Sequence, residues 1–103
     1  MILTLLAIAT AVSVTGQFAD AYTTYVNVHI KKNAVESNKL AFVQWLVNKH
    51  PYLDIAFKAI FGATPGVIGF LVSSPYVQAS AISASVVAAV FGWIAAYRNY
   101  KVN

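Results

Sequence analysis

Three stretches of this sequence run almost without charge, and a charged, mixed stretch separates the first two. The apolar blocks extend from Ile2 to about Val28, from about Tyr52 to Leu71, and from about Val77 to Tyr97. A helix that crosses the hydrocarbon of a bilayer needs about 20 residues, and each block supplies them. Between blocks one and two lies HIKKNAVESNKLAFVQWLVNKHPY. There Leu40, Val43 and Val47 fall on one helical side with Leu46 beside them, while Lys39, Gln44, Asn48 and Lys49 fall elsewhere. The pattern predicts an all-α integral membrane protein of one domain. It has three transmembrane helices (about 2–28, 52–71 and 77–97) and a short interfacial amphipathic helix, about 38–49, between the first two.

The punctuation agrees with these elements. Ser37 or Asn38 suits the N-cap of the short helix, and Trp45 suits headgroup level. Pro51 fits the first turn of the second span. Thr64-Pro65-Gly66 lies inside that span and predicts a kink or break. Ser73-Ser74-Pro75-Tyr76 predicts a tight turn into the third span.

Composition points the same way. Of 103 residues, 59% are hydrophobic and 10% charged, whereas soluble domains are about a quarter charged. The net charge of +4 comes from seven basic residues against three acidic ones. The basic residues are scattered beside apolar runs and form no stripe interleaved with stacking aromatics, so no nucleic-acid partner is expected. The lipid bilayer is the expected partner, with anionic headgroups opposite the basic residues. With no cysteine, disulfides and thiolate chemistry are excluded. The first block is preceded by no Lys or Arg, which predicts a retained membrane helix rather than a cleaved signal peptide.

Three spans put the first connection and the C-terminus on one side. That side carries Lys31, Lys32, Lys39, Lys49, Arg98 and Lys101, and the other side carries no Lys or Arg. The bias predicts the N-terminus outside and the C-terminus in the cytoplasm, in a cell inner membrane or a virion membrane.

Asp20, Thr24, Asn27 and Lys31 follow i, i+4, i+7, i+11 spacing; Ser13 and Gln17 extend the stripe backwards and Thr23 flanks it. A polar face of this length belongs against protein or water, not lipid. Asp20 is ~27 Å along a helix from Ile2, near the cytoplasmic edge of the hydrocarbon, and Lys58 is ~10 Å from the start of the second span. The two sit at similar depth, and Asp54, one turn before Lys58, competes for it. Asp20, Thr23, Thr24, Asn27, Asp54 and Lys58 are therefore the candidate intramembrane polar face. It serves either as an ionisable path or as a tie between spans, and its place near the interface favours the tie. In the third span Ser80, Ala84, Ala88 and Gly92 repeat every four residues, with Ser85 and Ala89 beside them. This small-residue row is the candidate helix-packing face, within the chain or between copies.

Reactive chemistry is not evident. His29, Glu36 and His50 lack compact ligand spacing, so no metal is expected. The serines have no neighbouring histidine, and Gly62, Gly66 and Gly69 are not followed by a phosphate-binding GK[ST]. No cofactor and no enzymatic activity are expected.

Asp20-x-x-Thr23-Thr24, followed by Glu36-x-Asn38, resembles the D-x-x-T-T and E-x-N-P signature of a family of small prokaryotic and phage membrane proteins. Lys39 stands where that signature has Pro. The resemblance covers about a quarter of the chain and implies a membrane fold and a phage origin, with Asp20, Thr23, Thr24, Glu36 and Asn38 as signature positions. The expected function is a non-enzymatic membrane protein acting by helix–helix association, as a homo-oligomer or as an accessory or structural subunit of a membrane or virion assembly. The chain also resembles three-span holins in length, sidedness and basic tail, which makes a lesion-forming phage holin the alternative. A small ion- or proton-conducting protein using Asp20 and Lys58 is the second.

Overall fold

The structure is a computed structural model and describes residues 1–30 and 41–101. Helix α1 runs from Ile2 to Tyr25 and continues as one wider π-helical turn, Val26–Ile30. Helix α2 covers Ala41–Lys49, α3 Pro51–Leu71 and α4 Pro75–Lys101. Among the described residues there is no strand. The segments Ile2–Ile30, Pro51–Leu71 and Pro75–Lys101 are long and apolar enough to cross a membrane. The sequence expectation for residues 31–40, including the Ser37 or Asn38 cap, lies outside the described residues.

Lipid accepts only backbone whose polar groups are satisfied within the element. This explains why α3 continues through Pro65 as one helix; of the expected kink or break, the break does not occur. Proline removes one N–H, but neighbouring helices and side chains hold such a helix together in apolar surroundings. The carbonyl that Pro65 leaves without its N–H is that of Phe61; beside it, Thr64 Oγ1 donates to the Ile60 carbonyl at 2.7 Å, and Gly66 packs on Thr10 of α1. The α3–α4 connection is only Val72, Ser73 and Ser74. Its turn is held by Val72 N–H to Ile68 O at 3.0 Å and Ser74 N–H to Val72 O at 2.9 Å.

Helix α1 is the middle element. It runs antiparallel to α3, pairing Ser13 with Gly62, Thr10 with Gly66 and Leu6 with Gly69. It runs parallel to α4, pairing Gly16 with Gly92 and Thr23 with Asn99. At the α1–α4 crossing a Cβ on Gly92 would lie 2.5 Å from Gly16 C and 2.7 Å from Gly16 O. Only glycine lets the two backbones approach so closely.

Where the three long helices meet, the core is mostly small in residue size. Leu6, Ala9, Ala21, Ala81, Ala89 and Ala96 are buried, with Ser13, Gln17 and Ser85 among them. The large side chains face outward instead: Ile8, Ile60, Phe61, Leu71 and Phe91 are all more than half exposed. That inversion of the soluble pattern is what an apolar solvent permits. Exposed hydroxyls on the spans are satisfied by their own helices. Thr15 Oγ1 donates to Ala11 O at 2.9 Å and Ser83 Oγ to Ala79 O at 3.0 Å.

Candidate functional site

The antiparallel register of α1 and α3 brings residue 20 beside residue 58. Lys58 Nζ lies 3.6 Å from Asp20 Oδ2 and 3.6 Å from Asp54 Oδ2. The Lys58 side chain is 13% exposed, that of Asp20 19% and that of Asp54 4%. Asp54 stands in the first turn of α3, where the helix N-terminus also favours a carboxylate. One ammonium is thus flanked by two carboxylates on two spans, largely out of solvent.

The third span joins through Asn99. Its Nδ2, with two hydrogens to donate, lies within hydrogen-bond reach of Thr23 Oγ1 at 3.0 Å, Thr24 Oγ1 at 3.0 Å and Asp20 Oδ1 at 3.3 Å. Asn27, 2% exposed, donates through Nδ2 to the Asn99 carbonyl at 2.7 Å. Thr24 Oγ1 donates to Asp20 Oδ1 at 3.5 Å. All six residues of the candidate polar face therefore meet in one network, and Asp20 contacts both α3 and α4. Two further polar ties lie deeper along α1: Ser13 Oγ donates to Gly62 O at 2.8 Å, and Gln17 Nε2 to Ala88 O at 2.8 Å.

Sequence reasoning missed Asn99, because YRNYK reads as an aromatic and basic tail. A usable signal was present. The buried row of α4 is Ala81, Ser85, Ala89, Gly92 and Ala96, and the next helical step on that row is 99.

The small-residue row of the third span sits differently from the strict four-residue repeat. Gly92 is buried and Ala88 is half-buried, but Ser80 and Ala84 are exposed. The reason is geometric. A step of four residues overshoots one helical turn by about 40°, so a strict repeat winds off the contact line within three steps. The buried row corrects itself with a step of three between Ala89 and Gly92. Ser80 and Ala84 instead line an open groove of about 450 Å³ between α3 and α4, with Thr64 and Ile68 opposite. The α3 face that meets α1 is also a small-residue row, Gly62, Gly66 and Gly69.

Neither described histidine points to a metal. His29 Nε2 hydrogen-bonds the Val47 carbonyl of α2, and the His50 ring lies 4.5 Å, centre to centre, from that of Trp45. Among the described residues no three His, Cys, Asp or Glu side chains gather as a ligand set. Glu36 and Asn38, the later signature positions, are outside the described residues. No family model, curated protein or solved structure matches this chain.

Proposed function

We propose that this protein is a small, non-enzymatic integral membrane protein that acts by helix–helix association, either as a self-oligomer or as an accessory or structural subunit of a larger membrane assembly. One observation carries it: Asp20 joins Asn99 of α4 and Lys58 of α3 in a single network. The buried polar side chains Ser13, Gln17 and Asn27 and the Asp20–Lys58 pair are committed to neighbouring spans, and most of the large side chains that the spans present outward are apolar. A chain so built has contact surface to offer. The one-sided distribution of Lys and Arg supports an N-terminus outside and a C-terminus in the cytoplasm, beside anionic headgroups.

Native mass measurement after extraction in mild detergent tests this. The expected result is a defined homo-oligomer or a stoichiometric complex with another membrane protein. A bare monomer, together with abrupt depolarisation and lysis on induced expression, would contradict it and favour a lesion-forming holin.

A further inference from the structure

Helix α2 has two apolar sides, and among the described residues one of them is buried while the other stays about half exposed. Val43, Leu46 and Val47 are buried, 9% exposed or less, against the π-helical turn and the first turns of α3. Phe42 and Trp45 lie off that buried side and keep about half of their surface open, 54% and 49% exposed. Nine residues are too few to cross a bilayer, so this second side needs another neighbour.

The aromatic contacts show where that side lies. Phe42 meets Phe57 of α3 edge to face with ring centres 5.5 Å apart, and it lies 6.2 Å from Trp45. Phe57 is six residues into α3, ~9 Å from its start. Helix α2 therefore folds back along α3 from His50, with its Phe42 end towards the bilayer interior and Lys49 at the outer end. The exposed side of α3 continues the same surface through Leu53, Phe57 and Ile60. This α3 surface is the lipid-facing side of a candidate span, and Phe42 and Trp45 extend it as far as His50, whose exposed ring lies against Trp45. Lys49, exposed at the end of α2, adds the charge that suits an anionic headgroup.

We propose that Phe42, Trp45 and Phe57 form one aromatic patch that seats α2 in the headgroup–acyl boundary, so that the partner of this surface is lipid. The proposal rests on α3 being a membrane span. Helix α2 is thus a two-sided wedge, with aliphatic residues on the bundle and aromatic residues on lipid. Interfacial helices bury their apolar face about 5–10 Å into this boundary, and amphipathic rings such as Trp collect there.

The chain holds two tryptophans, Trp45 and Trp93, which makes the test direct. The full chain carrying Trp93→Phe is reconstituted in vesicles of phosphatidylcholine and phosphatidylglycerol. Trp45 emission is then read against lipids spin-labelled at shallow and deep positions and against aqueous iodide. The expected result is strong quenching by the shallow label, weaker quenching by the deep label and little by iodide. The companion Trp45→Phe reports Trp93, which α4 carries beside Gly16 of α1, and there the deep label should act more strongly. Iodide quenching of Trp45 without lipid quenching, while Trp93 is quenched by lipid, overturns the proposal and leaves the spans intact. Trp45 shielded from all three quenchers places protein on the patch and overturns it too. Loss of lipid quenching at both tryptophans overturns the span assignment along with it. Should Trp93→Phe fail to insert, the difference between the parent and Trp45→Phe isolates the same Trp45 signal.

Discussion

Asn99 Nδ2, near the end of α4, lies 3.0 Å from Thr24 Oγ1 on α1, a contact that spans 75 positions of sequence. The same amide reaches Thr23 Oγ1 at 3.0 Å, so one side chain fastens the end of the third helix to the polar face of the first. Interhelical hydrogen bonds in membranes average about 0.6 kcal/mol and reach about 1.7. Asn99→Ala removes several at once and is expected to lower stability by about 1–2 kcal/mol. Reversible unfolding in mixed micelles measures this, and an unchanged midpoint would contradict it.

The Gly16–Gly92 crossing gives a steric prediction. Any Cβ at 92 meets backbone atoms of Gly16, which cannot rotate away. Gly92→Leu is expected to separate α1 from α4 at a cost of at least about 1–3 kcal/mol, the usual range for overpacking. Ala84→Leu, at an exposed position of the same helix, is expected to leave the fold unchanged. Equal effects from the two substitutions would place the contact row where the strict four-residue repeat puts it.

Lys58 sits between two carboxylates, so removing it alone is worse than removing all three charges. Lys58→Met is expected to cost on the order of 3 kcal/mol by leaving buried carboxylates beside one another. Adding Asp20→Asn and Asp54→Asn to Lys58→Met is expected to recover a large part of that loss. A double- and triple-mutant series in thermal melts checks the sign, and strictly additive losses would contradict it.

Ser85 gives the opposite expectation. Its hydroxyl is fully buried and has no hydrogen-bond partner among the described residues. Removing an unsatisfied buried hydroxyl is neutral or stabilising. Ser85→Ala is therefore expected to hold or raise the melting temperature. A clear fall would reveal a partner for that hydroxyl.

The fold class was legible because lipid imposes a simple rule: long uncharged blocks become helices. The depth match of Asp20 and Lys58 was also legible, since counting residues along two spans measures depth at 1.5 Å per step. Four features were not. Pro65 suggests a kink or a break by the rules of helices in water, where a lost N–H bond competes with solvent; in α3 the helix is not broken there. The packed row of α4 differs by one position from the four-residue repeat at Ser80 and Ala84, because contact follows 3.6 residues per turn. Asn99 was hidden among the aromatic and basic residues of the tail. The fold-back of α2 along α3 depends on Phe42 meeting Phe57, a contact with no local sequence signal.

The central claim is that the Asp20 network holds the helices together and is not a conduit. The direct measurement pairs ion flux with stability for the parent and for Asp20→Asn in the same reconstituted vesicles. The account predicts no proton or alkali-ion flux above that of empty vesicles for either protein, with a lower unfolding midpoint for Asp20→Asn. Flux through the parent that vanishes in a fully stable Asp20→Asn protein would contradict it.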